Sequence, residues 1–102
     1  MNTESSPQVG QLVEILKGKD AGEIAVVISV ADSRFVYIAD GDKRRFDGPK
    51  KKSLLHLKPL PHISSEVVNS LEEHGRVTNG KLRFAVLDYV RSAERSANER
   101  GD

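Results

Sequence analysis

The sequence predicts a mainly β domain, a small five-stranded barrel followed by an α-helical hairpin. The first observation is that residues 10–60 hold five short β-prone runs separated by turn residues. The second is that apolar residues recur at helical spacing after residue 63. Five short strands joined by tight turns hide their edges best by curling into a barrel.

The composition is that of one globular domain. The 102 residues are 37% hydrophobic and 30% charged, which allows one modest core but not two. The absence of cysteine excludes disulfides, thiolate metal sites and a cysteine nucleophile, and it suits a reducing compartment. Residues 1–9 do not resemble a signal peptide, and no apolar run is long enough to span a bilayer. We therefore expect a cytoplasmic protein without membrane contacts.

Residues 10–30 predict the first two strands. The first runs from about residue 11 to 16 and the second from about residue 23 to 30. Between them, Gly18 and Gly22 provide the positive φ angles that turns between strands require. The second strand is apolar on both faces, which indicates a central position in the barrel.

The next two predicted strands flank an Asp-Gly-Asp turn. The third strand, residues 34–39, is dense in aromatic and branched residues. Asp-Gly is a strong hairpin signal, so a short fourth strand over residues 43–46 is expected to pair back antiparallel to the third.

Residues 47–53 predict a loop, because Pro49 cannot donate to a strand ladder and three consecutive lysines repel one another. A fifth strand over residues 54–57 follows, before Pro59 and Pro61.

Two helices are predicted after the barrel. The first is capped by Ser64 or Ser65 and ended by Gly75, and the second, capped at residue 78 or 79, extends from about residue 80 to 97. Phe84 and Leu87 lie off its main apolar stripe, which indicates a second apolar side. The predicted organisation is a disordered N-terminus (1–8), a barrel (9–61), a helical hairpin (62–98) and a frayed tail (99–102).

The first hairpin resembles the KOW motif of SH3-like barrels in ribosomal proteins and transcription elongation factors. The matching residues are Gly10, Val13, Ile15, Gly18, Asp20, Gly22, Val27 and Val30. The longer stretch of residues 10–60 is similar to archaeal and eukaryotic large-subunit ribosomal proteins and to small KOW-domain RNA-binding proteins of Gram-positive bacteria. The resemblance implies binding to RNA, usually ribosomal RNA, through the loops of the barrel.

The charge distribution points to one segment for this contact. The net charge is only +1, but residues 40–61 hold seven cations and three acids. In the first loop, by contrast, Asp20 and Glu23 nearly balance Lys17 and Lys19. We therefore expect a phosphate-binding patch chiefly over residues 43–52. The candidate RNA-binding residues are Lys17, Lys19, Lys43, Arg44, Arg45, Lys50, Lys51 and Lys52.

Other motifs are interpreted as structural. Phe35, Tyr37 and Phe46 can stack on bases, but such aromatic residues more often belong to the core of a small β domain, and we expect Phe35 or Tyr37 to be buried. The aspartates at 40–42 do not form a calcium loop, because cations stand where its glycine and glutamate ligand belong. The three histidines match no metal-ligand spacing.

We therefore expect an RNA-binding protein associated with the ribosome or its RNA, with no catalytic activity, cofactor or metal. The alternative is a protein-interaction module whose helical tail docks a partner or dimerises. The sequence leaves open which RNA is bound, whether the protein is a permanent ribosomal component, and its oligomeric state.

Overall fold

The computed structural model describes residues 7–100, with side chains described as far as Ser96. The strands are β1 (Gln11–Ile15), β2 (Ile24–Val30), β3 (Phe35–Ala39), β4 (Lys50–Ser53) and β5 (Leu57–Ile63), and the helices are α1 (Ser65–His74) and α2 (Asn79–Arg100). The mainly β class with a helical tail is confirmed. Residues 1–6 of the predicted disordered N-terminus and residues 101–102 of the predicted frayed tail lie outside the described residues.

The five strands form one antiparallel sheet in the order β4-β3-β2-β1-β5. β1 therefore lies between β2 and β5 and is not an edge strand, although it comes first along the chain. Its residue Val13 pairs with Ala25 of β2 on one side and with Pro59 of β5 on the other. In the described part of the chain no ladder joins β4 to β5, so the barrel-like sheet is left open at these two edges.

The sheet carries buried apolar side chains on both faces. The inner cluster consists of Val13, Ile15, Ala25, Val27, Val36, Ile38 and Leu57. The helix-side cluster consists of Leu12, Val26, Ile28, Ala39, Leu60, Val67, Val77, Leu82 and Ala85, and it joins the sheet to both helices. Because β2 lies between β3 and β1 and contributes to both clusters, its predicted central position is confirmed.

The predicted fourth strand over residues 43–46 is wrong, and β4 lies in the segment that was predicted to be a loop. One carboxylate oxygen of Asp40 accepts the backbone N–H of Asp42 at 2.8 Å and of Arg44 at 2.9 Å. These bonds fold the chain after β3 into a compact turn instead of a ladder. The lysines are compatible with β4 because it is an edge strand, paired only with β3, where charged side chains reach solvent.

The predicted fifth strand over residues 54–57 is also wrong in its position. Leu54–His56 forms a short 3-10 helix, and β5 continues through Pro59 and Pro61. Proline is tolerated there because β5 is an edge strand with a ladder on one side only. Both open edges of the sheet therefore carry residues that discourage the addition of a further strand: lysines in β4 and prolines in β5.

α1 begins and ends, and α2 begins, where the sequence predicts caps. The Ser64 hydroxyl accepts the N–H of Val67 at 3.2 Å, and Gly75 ends α1 with a φ of 71°. The Thr78 hydroxyl accepts the N–H of Lys81 at 3.2 Å, near the start of α2. The backbone of α2 continues to Arg100, three residues beyond the predicted end. In residues 7–100 no helix combines the length and the apolar character needed to cross a bilayer.

Gly41 is the point where the turn after β3 meets α2. Its φ is +83°, it is buried, and its carbonyl oxygen accepts a hydrogen bond from Arg83 Nη1 at 2.8 Å. A Cβ atom at Gly41 would overlap the carbonyl oxygen of Asn79. The Asn79 side chain also accepts the N–H of Phe46 at 2.7 Å. Close contact between this turn and the first turn of α2 thus holds the helix on the sheet.

Candidate nucleic-acid interface

The three consecutive lysines lie on β4, and strand geometry divides them between two faces. Lys50 pairs with Ile38 and Lys52 with Val36, whereas Lys51 pairs with Tyr37. Directly paired residues share a face of the sheet and neighbouring residues alternate. Lys50 and Lys52 therefore lie on one face and Lys51 on the other.

Lys52 joins β4 to the loop between β1 and β2. Its Nζ donates a hydrogen bond to the carbonyl oxygen of Lys17 at 3.1 Å. Lys17 and Lys19 are exposed in the same loop. We call Lys17, Lys19, Lys50 and Lys52 the basic surface. Two of the predicted RNA-binding segments, far apart along the chain, thus meet at one end of the sheet.

Two other predicted RNA-binding residues hold that loop in place. Lys43 Nζ lies 2.7 Å from Glu23 Oε2, and Arg44 Nη2 lies 3.0 Å from Asp20 Oδ2. The hydrogen bond that Lys43 donates to Glu23, together with the negative charge of that carboxylate, raises the pKa of Lys43. We call these four residues the loop latch.

The loop latch changes the charge balance of the β1–β2 loop. In the sequence, Asp20 and Glu23 appear to neutralise the two lysines of the loop, but their carboxylates turn to the β3–β4 loop instead. Among the described residues, neither Lys17 nor Lys19 lies within 4.0 Å of a carboxylate. Both ammonium groups are therefore available to an anionic partner.

The two remaining candidates, Lys51 and Arg45, lie outside the basic surface. Lys51 Nζ lies 5.0 Å from the centre of the Phe35 ring, a distance typical of a cation–π contact, and Arg45 is exposed in the β3–β4 loop. Phe35, Tyr37 and Phe46 are all partly buried, and of these three Tyr37 and Phe46 pack against the helix-side cluster. Tyr37 and Phe46 thus serve in packing, and the prediction that Phe35 or Tyr37 is buried is wrong, because both are only partly buried.

Two exposed leucines next to the basic surface were not expected from the sequence. Leu55, in the 3-10 helix, is 86% exposed, and Leu16, at the end of β1, is 47% exposed. The N–H of Leu16 donates to the carbonyl oxygen of His56 at 2.8 Å, which holds the two segments together. Because residues 54–57 look like a buried strand, the sequence carries no signal for this exposure. Among residues 7–96, whose side chains are described, no three potential metal ligands cluster together.

Comparison with known proteins assigns the chain to a class. Residues 9–38 match the family model of the KOW motif, which spans the segment before β1 through most of β3. A curated protein of Bacillus subtilis (strain 168), named "Putative ribosome-binding protein YbzG", is 41% identical over 71 residues, which are 70% of this chain and 96% of the relative. The chain therefore belongs to the family of small KOW-domain proteins, and the resemblance inferred from its sequence is confirmed.

The loop latch makes a testable prediction about loop order. We expect Arg44→Met to speed hydrogen exchange at the Ala21 and Gly22 amides by about two- to fivefold, because a partly exposed ion pair contributes up to about 1 kcal/mol. Exchange is measured by NMR. Arg45→Met, the neighbouring exposed arginine, is the matched control and should change neither amide. Unaltered exchange in the Arg44→Met variant would show that the ion pair does not order the loop.

Proposed function

We propose that this chain binds the ribosome through ribosomal RNA, and that the basic surface is its phosphate contact. The observation that carries the proposal is the hydrogen bond from Lys52 to Lys17, which unites the edge strand and the β1–β2 loop into one cationic surface. The KOW motif and a relative whose name describes ribosome binding support the same conclusion.

The residue types of the basic surface favour phosphate contact over base recognition. Lysine ammonium groups act as point charges, and phosphate contacts carry no sequence information. Side chains cannot enter the deep, narrow major groove of A-form RNA, so binding depends on backbone positions and shape. We therefore expect low sequence selectivity and a strong dependence on salt.

The other predicted cations have supporting parts in this proposal. Lys51, on the opposite face of β4, and Arg45, in the β3–β4 loop, are exposed and add further positive charge outside the basic surface. Lys43 and Arg44 act mainly by fixing the β1–β2 loop through Asp20 and Glu23. The protein is proposed to be a cytoplasmic binding protein that carries out no reaction and needs no cofactor.

Sedimentation tests this proposal. Purified protein mixed with ribosomes is expected to pellet with them at about 50 mM potassium chloride and to stay in the supernatant at about 500 mM, because salt weakens phosphate contacts. Protein without ribosomes is the control at both salt concentrations. Absence from the pellet at low salt would refute ribosome binding, and full retention at high salt would refute a phosphate-based contact.

A second candidate function is favoured by one observation on α2. Phe84 and Leu87 are 54% and 44% exposed, so the helix presents apolar side chains to solvent as a protein-binding helix does. Apolar contacts are not weakened by salt, so retention at high salt would favour this function as the main mode of binding.

A further inference from the structure

A groove lies between α2 and the loops at one end of the sheet, and it is separate from the basic surface. Its volume is about 500 Å³. The residues that line it are Gly22, Glu23, Ile24, Asp40, Asp42, Arg83, Val86, Leu87 and Val90.

The floor of the groove is apolar. Ile24 comes from β2, and Val86, Leu87 and Val90 come from consecutive turns of α2. Leu87 is 44% exposed, and the other three are partly buried. An exposed apolar strip in a concave surface is typical of a site that receives apolar side chains of a partner.

The end of the groove is acidic. Among the described residues, neither Asp40 nor Asp42 lies within 4.0 Å of a cation. Of the nearby cations, Lys43 binds Glu23, and the Arg83 guanidinium donates to the Gly41 carbonyl oxygen and keeps its positive charge. The groove therefore combines an apolar floor with an acidic end, where Asp40 and Asp42 outnumber the one cation of the described lining, Arg83, and Glu23 is paired with Lys43. The excess of charge is negative, opposite to that of the basic surface.

This charge pattern selects among possible occupants. RNA phosphates would be repelled by Asp40 and Asp42. A twofold pair of this chain, with groove against groove, would set this lining against an identical one, which carries more carboxylates than cations and so offers no excess of positive charge to the acidic end. A polypeptide segment with lysine or arginine beside leucine-like residues matches both the floor and the end of the groove.

We infer that this groove docks a basic, partly apolar segment of a ribosomal protein. The inference rests on the proposed function, which places the chain on the ribosome, where protein and RNA surfaces adjoin. In this arrangement the basic surface contacts RNA, and the α2 groove contacts a neighbouring protein chain. One contact would bind an anionic partner and the other a cationic partner, and together they would fix the orientation of the domain on the ribosome. Phosphate contacts alone are similar along the RNA backbone and would allow several orientations.

Photocrosslinking on ribosomes tests the inference. The photoreactive amino acid p-benzoylphenylalanine is placed at Leu87 in the groove, at Lys51 on β4 or at the exposed Asn69 on α1. Each protein is pelleted with ribosomes, irradiated, and analysed for crosslinked protein and RNA by nuclease digestion and mass spectrometry. We expect position 87 to crosslink to a basic segment of a ribosomal protein, position 51 to crosslink to RNA, and position 69 to give background only.

A charge variant tests the acidic end of the groove. With the probe at position 87, Asp42→Lys is expected to lower the yield of the protein crosslink by about threefold or more. Asp47→Lys, at another exposed aspartate of the same loop that does not line the groove, is the matched control and should leave the yield unchanged.

The outcomes separate the two proposals. A protein that pellets but crosslinks from position 87 to RNA, to a second copy of this chain or to nothing would overturn the groove assignment and leave ribosome binding intact. Equal yields from Asp42→Lys and Asp47→Lys would overturn the acidic end as a determinant of the partner. Failure to pellet would overturn the proposed function and, with it, the inference.

Discussion

Gly41→Ala is expected to lower the free energy of unfolding by about 3 kcal/mol, since it combines backbone strain with overpacking. A φ of +83° is unfavourable for any residue with a Cβ atom. The new Cβ would also overlap the Asn79 carbonyl oxygen, which belongs to the backbone of α2 and cannot rotate away as a side chain does. The helix must therefore shift or the turn must refold. Urea denaturation followed by circular dichroism measures the loss.

Two other glycines separate the contributions of strain and overlap. Gly22 has a φ of +93° but open space where a Cβ would lie, so Gly22→Ala is expected to cost only about 1 kcal/mol. Gly48 has neither a positive φ nor a near neighbour, so Gly48→Ala should change stability little. Equal losses for Gly41→Ala and Gly22→Ala would show that contact with α2 does not contribute to the effect.

Replacing Lys50, Lys51 and Lys52 together with glutamine is expected to weaken binding to ribosomal RNA about 100-fold at about 100 mM salt. Affinity falls as salt rises, and each lost phosphate contact makes the plot of log affinity against log salt less steep by about 0.7 to 0.9. Three losses therefore reduce the steepness by about two to three. If these residues contact phosphates, as proposed, unrelated RNA sequences should lose affinity by similar factors. Glutamine keeps much of each side-chain stem, which limits damage to the packing of Lys51 on Phe35. Fluorescence anisotropy at several salt concentrations measures both quantities.

A charge-matched control shows whether the loss of RNA affinity depends on the position of the lysines or only on the net charge of the protein. Lys58, Arg91 and Arg95 are exposed and lie outside the basic surface. Their combined replacement with glutamine removes the same three charges, and we expect a loss of less than about tenfold, because distant exposed charges are screened. Similar losses in both triple variants would mean that binding follows net charge and that β4 is not the contact.

The parts of the fold that the sequence predicts well are those with a local physical signal. The apolar residues of β2 on both faces indicate a central strand, and both faces are buried. Ser64 and Gly75 bound α1 because a cap depends on residues within one helical turn of it. These features need no knowledge of distant residues.

The sequence misplaces the last two strands, β4 and β5, because edge strands accept residues that central strands do not. The lysines of β4 and the prolines of β5 disfavour strands in the middle of a sheet, but they are acceptable where only one side forms a ladder. Whether a strand is at an edge depends on the order of the whole sheet, which local composition does not contain.

The candidate site was only partly predictable for a related reason. The sequence shows which residues are charged, but the loop latch joins Asp20 to Arg44 across two loops that meet only in the folded chain. The same holds for Lys52 and Lys17. The charges of the β1–β2 loop, taken alone, therefore suggest that Asp20 and Glu23 neutralise Lys17 and Lys19. In the folded chain these two acids pair with Arg44 and Lys43 of the next loop instead.

The internal position of β1 also has a consequence for how the chain folds during synthesis. β1 to β4 can pair through short connections as they emerge, since each lies beside its predecessor in the sheet. β5, by contrast, must return across the sheet to β1, a long-range closure that is slower than local pairing. Until residues 57–63 have been made, β1 has a partner on one side only. Completion of the sheet, and the folding of the helices onto it, therefore waits for β5 to leave the ribosome that makes it.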